Sequence, residues 1–276
     1  MFFPDCDPRF CALSTDMSAN PPIARRELIA SRLDAGQPVS APALATEFSI
    51  SEDAIRRDLR ALAAQGRCRR VYGGALPLAP SAAPLTERVR QDRDRKEHLA
   101  AFAATTVRPG ELVFLDSGST NLALVGHLPE DADVTVVTNS VPIAAAVLAR
   151  QDLRLITVGG EVNLMVGGCV DAAAAMQVAR MSFDRSFIGA CAVSDVDGLS
   201  AHDFDDATFK RALLARSRQA VVLVTTEKLG TTARHRVAEL PDLSAVVVEV
   251  DAPDDEVRIL SDGGAMILRA VQARAA

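Results

Sequence analysis

The amino-acid sequence predicts an α/β protein, with a small, basic, helix-rich N-terminal module ahead of a doubly wound, mostly parallel sheet. Three observations carry this prediction. Within Ala54–Tyr72 six Arg stand against one Asp. The first part of the chain shows helical spacing of apolar residues, with Ser at helix starts and Gly at stops. After Gly110, short apolar runs (ELVFLD, VTVVT, LRLITV, AVVLVT, AVVVEV) alternate with helical stretches. Continuous Val, Ile and Leu runs separated by helices belong to parallel strands covered on both faces.

Composition sets the limits. At 276 residues, 49% hydrophobic and 24% charged, the chain has the make-up of a globular protein of one to three domains. The net charge of −6 excludes nucleic-acid binding through bulk charge. Pro21–Pro80, however, holds nine Arg against six acids, so a basic module is attached to an acidic body. The five cysteines are scattered without a CxxC pair, which predicts neither a metal site nor a disulfide framework, and no cofactor is expected. No run reaches the length of a spanning helix, so no membrane partner is expected and a cytoplasmic protein is. Residues 1–20 carry no periodic pattern and read as a disordered extension, with Met17 an alternative start.

The elements follow in order. A first helix near Ala24–Ala35 places Ile29 and Leu33 on one face and stops at Gly36. Ser40 is a candidate N-cap for a second helix carrying Leu44 and Phe48. Ser51 caps a third, with Glu52 and Asp53 in its first turn, where the helix dipole favours acids. That helix buries Ile55, Leu59 and Leu62 and turns Arg56, Arg57 and Arg60 elsewhere. Two helices joined by a tight turn, the second rich in exposed Arg, describe a helix-turn-helix. Arg67–Tyr72, with Arg69 and Arg70, reads as a hairpin ending at Gly73-Gly74, a wing. The predicted organisation is a winged helix-turn-helix over 21–76, a linker over 77–90, a sheet domain over 91–255 and a tail over 256–276. A single charged helix is expected from Leu85 to Val107.

In the sheet domain the sharpest local signal is Asp116-Ser117-Gly118-Ser119-Thr120-Asn121, directly after a strand and opening a helix. Its backbone N–H groups and hydroxyls suit a phosphate. Thr138-Asn139-Ser140 and Gly159-Gly160-Glu161 also follow strands, so three polar loops are expected on one rim. Lys228, after AVVLVT, either reaches that rim or is a solvated surface lysine. Lys96 lies in a charge run. His202 with Asp203, Asp205 and Asp206 reads as a helix start rather than a metal cluster, and Cys191 as a small core residue.

The stretch PVSAPALATEFSISEDAIRRDLRALAAQGRCRRVYGGA resembles the DeoR-type helix-turn-helix, through IRRDL followed by R-x-x-GGA. FLDSGST, VVTNS, GGE, FIGA and a late strand ending in Lys are similar to that family's sensor domain. The resemblance implies a sensor fold related to ribose-5-phosphate isomerase and a homo-oligomeric regulator. It also implies repression of sugar-catabolic genes at a double-stranded DNA operator, relieved by a phosphorylated sugar. Ser40, Ser51, Glu52, Asp53, Arg56, Arg57, Arg60, Arg69 and Arg70 would then form the DNA-contacting surface. Lys96, Ser119 and Thr120 would hold the phosphate, supported by Asp116, Ser117 and Gly118, with Asn139, Gly160 and Lys228 at the sugar end. Ala54 stands where the family usually has Thr, and TTEKLG where it has D-x-S-K-F. The alternative is an isomerase-like enzyme with a DNA-binding appendage. Against it, Ile188 and Cys191 occupy the positions of the two acids that flank the matching Gly-Ala in the isomerase.

Overall fold

The computed structural model describes residues 22–34, 37–65, 67–71, 73–76 and 83–271. The expected extension 1–20 with Met17, residues 77–82 of the expected linker, and residues 272–276 lie outside them. The chain divides into two units, one up to Leu78 and one from Ala79.

The first unit runs α1 (Pro22–Asp34), β1 (Val39–Ser40), α2 (Ala41–Glu47), α3 (Glu52–Ala64), β2 (Arg69–Val71) and β3 (Gly74–Leu76). Its core is the one the periodicity predicts: Ile29, Leu33, Leu44, Ile55, Leu59 and Leu62 are all buried. The hairpin continues past Gly73-Gly74, and its second arm β3 lies between β1 and β2 in a small antiparallel sheet. A buried ion pair that no sequence pattern announces ties α1 to α3: Arg25 Nε donates to Asp58 Oδ2 at 2.7 Å. Ser51 accepts from the Ala54 N–H at 3.3 Å, as expected of an N-cap. Ser40 makes no side-chain cap bond. It is held in β1 opposite Gly74, and Pro42 removes one of the N–H groups a cap would satisfy.

The second unit opens with α4 (Leu85–Arg88) and α5 (Arg93–Ala104), followed by β4 (Leu112–Leu115), α6 (Ser119–Leu124), β5 (Thr135–Thr138), α7 (Val141–Leu148) and β6 (Arg154–Thr157). The β7–β8 hairpin (Val162–Asn163, Gly168–Cys169) and α8 (Ala172–Val178) precede β9 (Arg185–Gly189). Then come β10 (Ala192–Ser194), β11 (Gly198–Ala201), α9 (Phe204–Leu214), β12 (Ala220–Val224), β13 (His235–Ala238), β14 (Ala245–Glu249), α10 (Asp254–Asp262) and β15 (Ile267–Ala270). Seven strands form one parallel sheet in the order β15-β14-β12-β9-β4-β5-β6. Alternate residues feed two cores. Phe114, Ile188, Val222 and Val246 pack on one face, while Val113, Leu115, Phe187, Val221 and Val247 pack on the other. A second sheet, β10-β11-β13, is antiparallel.

RSFIGACAV divides between the two sheets: its first half is β9 and its last residues turn away into β10. Two expectations are corrected. The charged helix is two, because Asp92 adopts φ 47° between α4 and α5. Residues 256–271 are not a tail, since α10 leads into β15, which pairs with β14 as the sheet's edge. Among the described residues, no helix is long and apolar enough to cross a membrane.

Candidate functional site

The strand order locates the site. From β4 the chain winds outward through β5 to β6, then returns on the other side of β4 as β9 and winds the opposite way. The crevice between the carboxyl ends of β4 and β9 is therefore a topological switch point, where open α/β sheets bind ligands. A cavity of about 230 Å³ lies there, lined by Ser117–Asn121 after β4, Gly189–Cys191 after β9, and Lys228 after β12. Arg88 of α4, His202, and Asp203, Asp206 and Lys210 at the start of α9 complete its polar wall.

Each wall residue is held by its own support. The Ser117 N–H donates to the Asn139 carboxamide at 3.1 Å, and Ser117 Oγ donates to Val166 O at 2.7 Å. Asn121 Nδ2 bridges β4 and β9 by donating to Asp116 O and Phe187 O, both at 2.9 Å. Gly189 is required by close approach, because a Cβ there would lie 2.6 Å from Ser117 O. Gly118 is under no such demand. Its φ of 176° is extended, and a Cβ would meet only ordinary contacts.

Beneath the cavity lies a buried charge triad. Lys210 Nζ donates to Asp206 Oδ1 and stands 3.4 Å from Asp116 Oδ2. The Asp116 carboxylate also accepts from the Ser117 N–H at 2.8 Å and the Gly189 N–H at 2.9 Å. Burial pushes the Asp116 carboxyl above its usual range, against the pull of Lys210. Burial alone would lower Lys210, but Asp116 and Asp206 together hold its pKa above the ordinary value. Among the described residues Lys228 has no such carboxylate pair: its Nζ donates to Ala190 O at 3.1 Å, and burial lowers its pKa to about 8.

The expected residues separate accordingly. Ser117, Gly118, Ser119, Thr120 and Lys228 line the cavity. Asp116 lies behind it, fully buried, and positions the turn. Asn139 supports Ser117 and donates to Cys169 O at 3.1 Å without lining the cavity. Gly160 sits against Asp171, beyond β6 on the far arm of the winding. The three loops follow the carboxyl ends of adjacent parallel strands and share that edge of the sheet, but only the first lines the cavity, because β9, not β6, is the neighbour that completes the crevice. Lys96 is also corrected: its ammonium donates to Arg88 O at 2.5 Å and Gln91 O at 2.6 Å, so it fixes the α4–α5 turn. Asp203 is a helix start, accepting from the Asp206 N–H at 2.9 Å.

Sequence reasoning does not single out Arg88, Asp206 and Lys210 as binding residues. The i, i+4 spacing of Asp206 and Lys210 is the available signal, but any solvated helix shows it.

On the N-terminal unit, α3 exposes Arg56, Arg57 and Arg60. Glu52 accepts from Arg56 at 2.7 Å and Asp53 lies 3.5 Å from it, so these acids face their own arginine. Arg57 Nε and Arg60 Nε donate to the carbonyls of Asp53 and Arg56 at 3.4 and 3.2 Å. Arg70 is exposed on β2, while the side chain of Arg69 lies outside the described residues.

Comparison with known proteins agrees with this division. Residues 25–79 match the DeoR-like helix-turn-helix domain, and residues 91–250 match the DeoR C terminal sensor domain. The chain is 28% identical over 225 residues to the glycerol-3-phosphate regulon repressor of Escherichia coli (strain K12), covering 81% of this chain and 89% of that one. It is 32% identical over 241 residues to the uncharacterized HTH-type transcriptional regulator YgbI of the same organism, covering 87% and 94%. Among solved structures, ribose 5-phosphate isomerase A from Methanocaldococcus jannaschii aligns at 19% identity with a TM-score of 0.38, covering 50% of this chain and 55% of that chain.

Proposed function

The chain belongs to the DeoR family, and from that premise we propose that it is a cytoplasmic transcriptional repressor of carbohydrate-catabolic genes, released from its operator by a phosphorylated sugar. The observation that carries the effector reading is the cavity at the switch point. It sets the hydroxyls of Ser119 and Thr120 and the ammonium of Lys228 beside the Asp206–Lys210 pair. Hydroxyl donors and a cation suit a phosphate, and paired carboxylate and ammonium suit sugar hydroxyls. Among the described residues no Phe, Tyr or Trp lines the cavity to stack a base, which favours a polyol over a nucleotide.

Arg56, Arg57, Arg60 and Arg70 supply phosphate and base contacts to the operator, and two copies of the chain place α3 in successive major grooves. An effector that binds the DNA-incompetent arrangement better shifts the population off the operator, and a coupling of about 1–3 kcal/mol changes affinity about 5- to 150-fold. We read the chain as a regulator rather than an isomerase. The Asp116 carboxylate is enclosed by two N–H groups and Lys210, which leaves it placed to support the turn rather than to take a proton from substrate.

The test is binding to DNA upstream of its own gene and its neighbours, at fixed salt. It is run with and without glycerol 3-phosphate, ribose 5-phosphate and other sugar phosphates. Specific binding released by one compound is expected. Binding that no compound releases would refute the effector reading, and turnover of ribose 5-phosphate would refute the regulator-only reading.

A further inference from the structure

Arg88 is a cavity cation with no part in the resemblance-based reading. Its guanidinium is oriented by backbone carbonyls: Nε donates to Ala83 O at 2.9 Å, and Nη2 to Met165 O at 3.2 Å and Val166 O at 3.3 Å. Neutral acceptors fix the plane of the group without cancelling its charge. Nη1 has no hydrogen-bond partner among the described residues. Asp116 and Asp206, whose charges Arg88 feels, are both engaged with Lys210. A planar cation, pre-oriented and without a carboxylate of its own, is suited to bidentate recognition of a phosphate. Lys96 differs in place: its ammonium closes the α4–α5 turn on the carbonyls of Arg88 and Gln91, and it is not among the described residues that line the cavity.

The segment that carries Arg88 is short and fastened at few points. The Leu85 N–H donates to Met165 O at 3.2 Å. The Leu85 side chain packs so closely on Gly167 that a Cβ there would lie 2.1 Å from it, and Gly167 has φ +82°. Among the described residues, the remaining hydrogen-bonded fastenings are the Arg88 side chain itself and Lys96. Two of the Arg88 bonds, those from Nη2, are the long ones, and they are made by the group a phosphate would engage.

We propose that Arg88 is the residue that anchors the effector's phosphate, and that this contact ties occupancy of the cavity to the Ala83–Arg88 strap. The proposal rests on the reading of the cavity as the effector site. Engaging the guanidinium draws it from the carbonyls of Met165 and Val166. The strap directly follows, in chain order, the boundary between the two units.

The experiment uses the full chain. Calorimetric titration with inorganic phosphate, glycerol 3-phosphate and ribose 5-phosphate compares wild type, Arg88→Gln and Arg88→Lys. Hydrogen exchange is followed at residues 85–90 with and without each probe. Loss of one charge-assisted contact predicts about 10- to 150-fold weaker binding for Arg88→Gln, with Arg88→Lys intermediate. The exchange change at the strap is expected in wild type and not in Arg88→Gln. Equal affinity and an equal exchange response in a folded Arg88→Gln would overturn the proposal while leaving the effector reading intact. If wild type binds none of the three probes, both fall. Should Arg88→Gln not fold, Arg88→Lys decides, and wild-type affinity with a wild-type exchange response overturns the proposal.

Discussion

Replacing Lys210 with Met tests whether the triad beneath the cavity is held by charge. Lys210 is 2% exposed, Asp206 2% and Asp116 0%. Methionine fills much of the volume, so the packing change is small and the loss is chiefly the cation. Two carboxylates are then left buried without their counter-charge. Removing one partner of a buried ion pair costs about 3–5 kcal/mol. For a unit of this size that lowers Tm by about 6–20 °C. The pH dependence fixes the cause. Asp116 already has a folded-state pKa raised above its unfolded value, and without Lys210 it rises further. Between the unfolded and folded pKa values the native state holds protons that the unfolded chain has released. The variant therefore loses stability as pH climbs through that window and regains it as pH falls. Urea denaturation at pH 5 and pH 7.5 should show a smaller deficit at the lower pH. Adding Asp116→Asn and Asp206→Asn should restore much of the loss. A deficit below about 1 kcal/mol with no difference between the two pH values would show that the triad does not depend on Lys210.

Three further outcomes are expected. Ser51→Ala should cost about 1 kcal/mol in thermal unfolding of the N-terminal unit, whereas Ser40→Ala, which removes no cap bond, should cost a few tenths at most. Effector affinity should fall as pH rises through about 8, where Lys228 loses its proton. Lys228→Arg should remove that fall, and a wild-type affinity flat from pH 7 to 9.5 would exclude Lys228 from the anion contact. Arg57→Ala should reduce the salt slope of operator binding by about 0.9, while Glu52→Gln, which frees Arg56, should tighten binding at low salt. Fluorescence anisotropy across a salt series reads both.

Most of the fold is legible in the sequence because long apolar runs alternating with helices fit a covered parallel sheet and little else. AVVLV and AVVVE form β12 and β14 as their composition predicts. β15 escapes sequence reasoning because ILRA is short and carries Arg269, which an edge strand tolerates through its solvent-facing side. The Ser117–Thr120 turn is legible because strand, polar turn and helix are adjacent in sequence. Its partners are not. Asp206 and Lys210 follow β9, which returns beside β4 after 72 residues, pairing Val113 with Arg185, and Arg88 is held from the distant carbonyls of Met165 and Val166. No local pattern encodes that return. Sequence order makes β5 and β6 the successors of β4, which suggests Asn139 and Gly160 as ligand contacts, but the strand order puts the cavity on the other side of β4.

That late return also orders the protein's assembly in time. While the chain is being made, β4 can pair with β5 and β5 with β6 as soon as residue 157 has emerged. The other edge of β4, with Val113, Phe114 and Leu115, stays open until Arg185–Gly189 follows. A ribosome-bound chain therefore passes through a stage in which an interior strand of the finished sheet is an unpaired edge. Pairing at such separation is slow, and open apolar edges invite association with other chains. The cavity cannot exist until Lys228 has been added, so ligand can protect the finished sensor but cannot guide its first half to fold.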